Sequence, residues 1–212
     1  LTRLVGEGWD GPGRNGAELT YSFQAITRKV ATENAKSEIV RALDAWSRVA
    51  RLRFVRKDEA GGSRNINILF GAGAHGDSYP FDGPGRVLAH TFYPAPPNPE
   101  PIAGDLHFDE DETWSVGTDV DIFSVALHEL GHALGLGHSD VPGAVMYPYY
   151  RRVTALTDED IGAIRMLYAE PEAAPSAPAT PLHFTVETPA ATFTTSGSSI
   201  NAEGAATGAV AP

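Results

Sequence analysis

One stretch of this chain, His128-Glu129-Leu130-Gly131-His132-Ala133-Leu134-Gly135-Leu136-Gly137-His138-Ser139, carries residue types whose spacing suits a metal ion with a base beside it. A helix turns once in about 3.6 residues, so His128 and His132 stack on one face and can share one ion. Glu129 sits next to the first of them and can lean over the same site without binding the metal. Gly135 follows the second histidine by less than one turn, and a residue without a Cβ lets the chain leave the helix sharply. His138 then arrives from outside the helix as a third ligand. Three neutral nitrogens leave a fourth position open, the pattern of a catalytic zinc rather than a closed structural one. Such an ion lowers the pKa of water there to about 7, and Glu129 can take the proton. That is the chemistry of peptide-bond hydrolysis.

The long form of this motif resembles the zinc signature of the metzincin metalloproteases. Ser139, directly after the third histidine, is similar to the matrixin branch, the matrix metalloproteinase type. Val145-Met146-Tyr147-Pro148 resembles that branch's Met-turn. Taken alone, Met146 reads as core filling; the resemblance places its thioether beneath the zinc ligands. The resemblance spans about residues 8–169. It implies an α+β fold: a twisted five-stranded mixed sheet with three helices and an active-site cleft. It implies a secreted zinc endopeptidase acting on proteins or peptides, with a bulky apolar residue preferred just after the cut. Leu88 and Ala89 then lie on the strand bordering the cleft, where substrate adds as a further strand. Pro148 and Tyr150 form the opposite wall, and a small Ser124 at the pocket floor makes the pocket roomy. Arg151 and Arg152 read as a solvated charge pair. Two other readings stay open: a catalytically silent binding module of the same fold, and a protease of another metzincin branch.

Three further histidines, His75, His90 and His107, fall upstream with Asp77 close to the first. Three imidazoles and one carboxylate complete a tetrahedron, as in a closed structural zinc site, and the spacing resembles the matrixin structural-zinc pattern. Two zinc ions per chain follow. Asp82-Gly83-Pro84-Gly85-Arg86-Val87 reads first as a tight turn. It also resembles a calcium loop of the family, in which the Asp82 carboxylate and the carbonyls of Gly83, Gly85 and Val87 join Asp109 and Glu112 around at least one Ca²⁺. A second family calcium site departs from pattern. Asp105 matches one ligand, but Asn65 stands where aspartate is usual, and Pro101 and Ala103 where glycines are usual.

These groups need a scaffold, and 212 residues with 42% hydrophobic content suffice for one ordinary domain plus an appendage. A net charge of −11 argues against nucleic acid or anionic membrane as partner. No apolar run is long enough for a membrane span. Cysteine is absent, so no disulfide holds the fold and no cysteine switch lies within the chain. The chain begins at Leu1 and reads as a mature form or an excised segment, and as a monomer. The missing cysteine and the tail fit a bacterial member of the family. β-Forming runs predict strands over 17–25, 52–56, 66–70, 87–93 and 105–109. Ile39, Leu43, Trp46 and Val49 at helical spacing predict a helix over 32–50. Thr118 or Asp119 is expected to cap the helix carrying the zinc motif. Thr157-Asp158-Glu159-Asp160 opens a third helix with a capping-box-like start and a stripe of Ile161, Ile164, Leu167 and Tyr168. The domain plan is a catalytic domain over 1–170, a Pro/Ala-rich linker over 171–182, and over 183–212 either the start of a β-rich module or a disordered tail.

Overall fold

The computed structural model describes residues 1–172 together with 193–195 and 198–200. Nearly all of the expected linker over 171–182, and most of the segment expected over 183–212, lie outside the described residues. The chain divides into two compact units, Leu1–Glu172 and Ala173–Pro212. In the second, Phe193–Thr195 pairs antiparallel with Ser198–Ile200.

The first unit is α+β. Its main sheet is built from β2 (Ala17–Phe23), β3 (Leu52–Arg56), β4 (Asn65–Gly71), β5 (Ala89–Thr91) and β6 (Leu106–Asp109), in the order β3-β2-β4-β6-β5. Four strands run parallel, and β5 joins antiparallel to β6 at one edge. In β2 the buried residues Ala17, Leu19 and Tyr21 alternate, as a strand with one face on the core requires. β6 is buried at every position, the pattern of an interior strand.

Helix α1 (Thr32–Ser47) buries Ala35, Ile39, Ala42, Leu43 and Trp46 at helical spacing. It packs on α2 (Ile122–Ala133), where the Trp46 indole donates to the carbonyl of Leu127 at 3.0 Å. Of the twelve residues in α2 only His128 is more than slightly exposed. A helix apolar all round belongs inside a protein, and here it carries two histidines at the boundary between core and cleft. Its cap is Asp121, whose carboxylate accepts from the Ser124 N–H at 3.0 Å, not Thr118 or Asp119. Those two residues sit in the turn before it, which ties β7 (Trp114–Ser115) to β8 (Val120–Asp121).

After α2 the chain turns at Gly135, with φ +100°, into β9 (Leu136–Ser139). β9 pairs antiparallel with β1 (Thr2–Leu4). β1, β7, β8 and β9 hold two to four residues each, too few for a periodic pattern to mark them. α1 stops at Ser47 rather than 50, the strand expected over 87–93 shortens to β5, and the one expected over 17–25 stops at Phe23.

Helix α3 (Asp158–Leu167) starts in a full capping box between Thr157 and Asp160. Asp160 is fully buried and does more than cap. Its carboxylate accepts from the Thr157 N–H at 2.9 Å and hydroxyl at 2.6 Å, and from the N–H groups of Val145 at 3.0 Å and Met146 at 3.2 Å. One carboxylate thus fastens the 145–146 turn to the third helix. Removing it strands three backbone donors in the core. Asp160→Ala is therefore expected to lower unfolding free energy by about 3 kcal/mol or more, read as an earlier urea midpoint at unchanged m-value.

Candidate active site

His128 and His132 project from α2, and His138 from β9, onto one point. Each offers a ring nitrogen, and the three nitrogens lie within 4.8 Å of one another. The rings are aimed by their far sides. His128 Nδ1 is 2.7 Å from the Val145 carbonyl and His132 Nδ1 is 2.6 Å from the Leu136 carbonyl. A carbonyl only accepts, so each Nδ1 carries the proton and each Nε2 is left as a bare lone pair. Burial favours the same neutral state. It lowers the pKa of all three histidines, carrying His132 down to about 3, and the neighbouring imidazoles add to the effect for His132 and His138. Oriented, uncharged imidazoles that share a focus and lack a hydrogen-bond partner there fit a zinc ion.

Two glycines make this approach possible. A Cβ at Gly131 would overlap the Met146 sulfur and come within 3.2 Å of Trp46. The Met146 side chain therefore lies against α2 at Gly131. Gly135 adopts a positive φ beside the Val5 carbonyl, where a Cβ would lie only 3.2 Å away.

Glu129 reaches the cleft from the same helix with only 7% of its surface exposed. Burial pushes its carboxyl up to about 7, opposed by a hydrogen bond that the Thr91 hydroxyl donates to Oε2 at 2.8 Å. The cleft has a volume of about 410 Å³, and its lining includes Leu88, Ala89, Thr91, Ser124, Glu129, all three histidines, Pro148 and Tyr150. On one side runs β5, an edge strand with β6 on its inner flank and no strand on its outer flank among the described residues. The Leu88 carbonyl already accepts from the Asp109 N–H at 2.9 Å, so at Leu88 only the N–H remains for a ligand. On the other side, the wall at 148–153 is latched to the start of α2. The Tyr150 hydroxyl donates to the Asp119 carbonyl at 2.6 Å and accepts from the Asp121 N–H at 2.9 Å. Arg152, solvent-exposed as expected, also donates to the Gly117 carbonyl at 2.9 Å. Ser124 is buried at the cleft floor. Its hydroxyl accepts from the Val153 N–H at 3.0 Å and lies 2.7 Å from Asp121 Oδ2. It is small, and it is also a fastening point.

The second histidine set converges as well. His75, Asp77, His90 and His107 each place one ligand atom within 4.8 Å of the others. Asp77 Oδ2 stands 3.0 Å from His75 Nε2, 2.9 Å from His90 Nε2 and 2.7 Å from His107 Nδ1. Burial alone raises the Asp77 carboxyl, but hydrogen bonds from the Tyr79 N–H, His90 and His107 outweigh it and hold it at about 2. His75 Nε2 is buried without a hydrogen-bond partner, which a metal among these four residues would supply.

The loop from Asp82 to Val87 meets the end of β6 through one bond, from the Gly85 N–H to Glu112 Oε1 at 2.5 Å. Asp109 Oδ2 is buried with no partner, an atom that suits a cation. The carboxylates of Asp82, Asp109 and Glu112 do not converge as the histidine sets do: among the described residues only those two sets gather three or more ligand atoms within 4.8 Å. The hydrogen-bond partners of Asp105 are amides, not acids. Asn67 donates to it from its N–H and side-chain amide, both at 2.9 Å, and Asn65 bonds to Ser22, Thr20 and Asn67. A network of neutral side chains occupies this place.

The matrixin family model matches residues 13–169. The chain is 39% identical to Matrix metalloproteinase-16 of Homo sapiens over 185 residues, covering 81% of this chain and 29% of that protein. It is 42% identical to Stromelysin-1 of Mus musculus over 165 residues, covering 75% of this chain and 33% of the relative. Matrix metalloproteinase-2 of Drosophila melanogaster is 42% identical over 174 residues, covering 76% and 22%. The chain thus spans a third or less of the length of these relatives. The family match over residues 13–169 and these identities over most of the chain show that it belongs to the matrixin family of zinc metalloendopeptidases.

Proposed function

We propose that this chain is the catalytic part of a zinc-dependent endopeptidase that cuts proteins just before a bulky apolar residue. The observation that carries the reading is the focus of His128, His132 and His138 beside the buried carboxylate of Glu129, in a cleft with an open strand edge. Zinc held by the three histidines would supply a Lewis acid for the scissile carbonyl and make water there acidic. Glu129 takes the proton of the attacking water and delivers it to the leaving nitrogen. Ala89 and the Leu88 N–H hold the substrate extended along β5. The side chain after the cut enters the pocket between Ser124 and the Pro148–Tyr150 wall.

His75, Asp77, His90 and His107 hold a second, structural zinc, and the orphaned His75 Nε2 supports this. Asp82, Asp109 and Glu112, with the carbonyls of Gly83, Gly85 and Val87, take a calcium ion, supported by the unpartnered Asp109 Oδ2. Met146 shapes the floor beneath the zinc ligands. The enzyme is read as a secreted monomer, with the catalytic domain over 1–170, a linker over 171–182 and a further segment over 183–212. Among the described residues no helix is long and apolar enough to cross a membrane.

Glu129→Ala is expected to lower kcat about a hundred- to ten-thousand-fold while zinc content stays at the parent level; retained turnover would exclude the carboxylate as base. Elemental analysis of the purified chain is expected to find two zinc ions, and a chelator to abolish activity. A single ion would undermine the structural site. On a peptide library, cuts preceding leucine or another large apolar residue are expected, and cuts indifferent to that residue would exclude the proposed pocket.

A further inference from the structure

The Glu129 side chain has one hydrogen-bond partner among the described residues, and that partner is not on its own helix. It is Thr91, the last residue of β5, whose hydroxyl lies 2.8 Å from Oε2. We propose that Thr91 is a positioning residue for the reaction: it fixes one oxygen of Glu129 against the cleft wall so that the other faces the substrate. The inference rests on the reading of Glu129 as general base.

The argument begins with freedom. A glutamate has three rotatable side-chain bonds, and placing one in a single rotamer is costly unless something holds it. A base must sit within about 0.5 Å of its working position. Being enclosed narrows the choice of rotamers but does not select which oxygen points where. Thr91 selects it. A β-branched side chain on a strand is stiff about χ1, so its hydroxyl is a fixed donor and not a roaming one. The strand beneath it is also held. Thr91 pairs with Leu106 and its neighbour His90 with His107, and both of those histidines converge on Asp77 in the second cluster. The position of the base is thereby referred through one short strand to the other histidine set. Among the described residues this hydroxyl makes one bond, to Glu129, and the backbone pairing of β5 does not use it.

Valine keeps the branching and shape of threonine and lacks the donor, whereas serine keeps the donor. For Thr91→Val, with both zinc ions retained, kcat on a fixed peptide is expected to fall about tenfold or more, the loss of one hydrogen bond to a charged group. KM should change less than about twofold, because the substitution keeps the side-chain shape and the backbone groups of β5. Thr91→Ser should recover kcat to within about threefold of the parent. In the Glu129→Ala background Thr91→Val should cost nothing further, since Thr91 acts through that carboxylate. A Thr91→Val enzyme with parental kcat would overturn the proposal. So would a serine variant no better than valine, or an additive loss in the double variant. The two readings separate cleanly. If Glu129→Ala keeps its turnover, the base assignment fails; if it is inactive while Thr91→Val is fully active, only the positioning role fails.

Discussion

Three imidazole nitrogens must stay uncharged and aimed at one point, and the rest of the structure answers to that requirement. Imidazole protonates near neutral pH, and a protonated ring cannot bind a metal. Burial keeps the rings neutral, helped at His132 and His138 by the neighbouring imidazoles; the carbonyls that accept from the outer nitrogens pull weakly the other way and serve instead to fix the tautomer and aim the rings. The carbonyls belong to Val145 and Leu136, so ring orientation depends on backbone segments that follow the helix. Gly135 turns the chain so that Leu136 can serve His132 and so that His138 arrives on β9. The Met146 carbonyl accepts from the Ser139 N–H at 2.8 Å, and Asp160 holds Val145 and Met146 from the other side. Successive segments from α2 to the start of α3 thus share one task.

The cleft has two walls of different construction. β5 belongs to the main sheet, and its rigidity comes from β6 and from the histidine set around Asp77. The opposing wall at 148–153 has no regular structure and is held by side chains: Tyr150 and Arg152 to the turn before α2, Val153 to Ser124. A fixed strand edge suits backbone recognition, which is the same for every peptide. A latched loop suits a side-chain pocket, whose depth then depends on a few hydroxyl and guanidinium bonds.

Much of the site was legible in the sequence because helical and strand periods turn spacing into geometry. His128 and His132 one turn apart and the glycine after them express short-range rules, whereas the His75–His107 set was read through its resemblance to the matrixin pattern. What escaped depends on pairs distant along the chain. Asp160 reads as half of a capping box; nothing local says that it also receives the 145–146 backbone. Thr91 reads as an ordinary β former, and its link to Glu129 exists only once β5 lies beside α2. Thr118 or Asp119 was expected to cap α2, and the cap is Asp121, because the backbone path through β8 decides which side chain meets the first free N–H groups. Ser124 was readable as small but not as bonded. The departures from the family pattern at Asn65, Pro101 and Ala103 were visible in sequence, but not the amide network that stands around Asp105.

The account turns on where a metal sits relative to His128, His132 and His138. Anomalous diffraction collected at the zinc edge from crystals of the full chain tests it directly. A peak about 2.0–2.1 Å from the Nε2 atoms of all three histidines is the predicted result. Crystals whose Asp77 cluster shows a zinc peak while that focus holds none would contradict it.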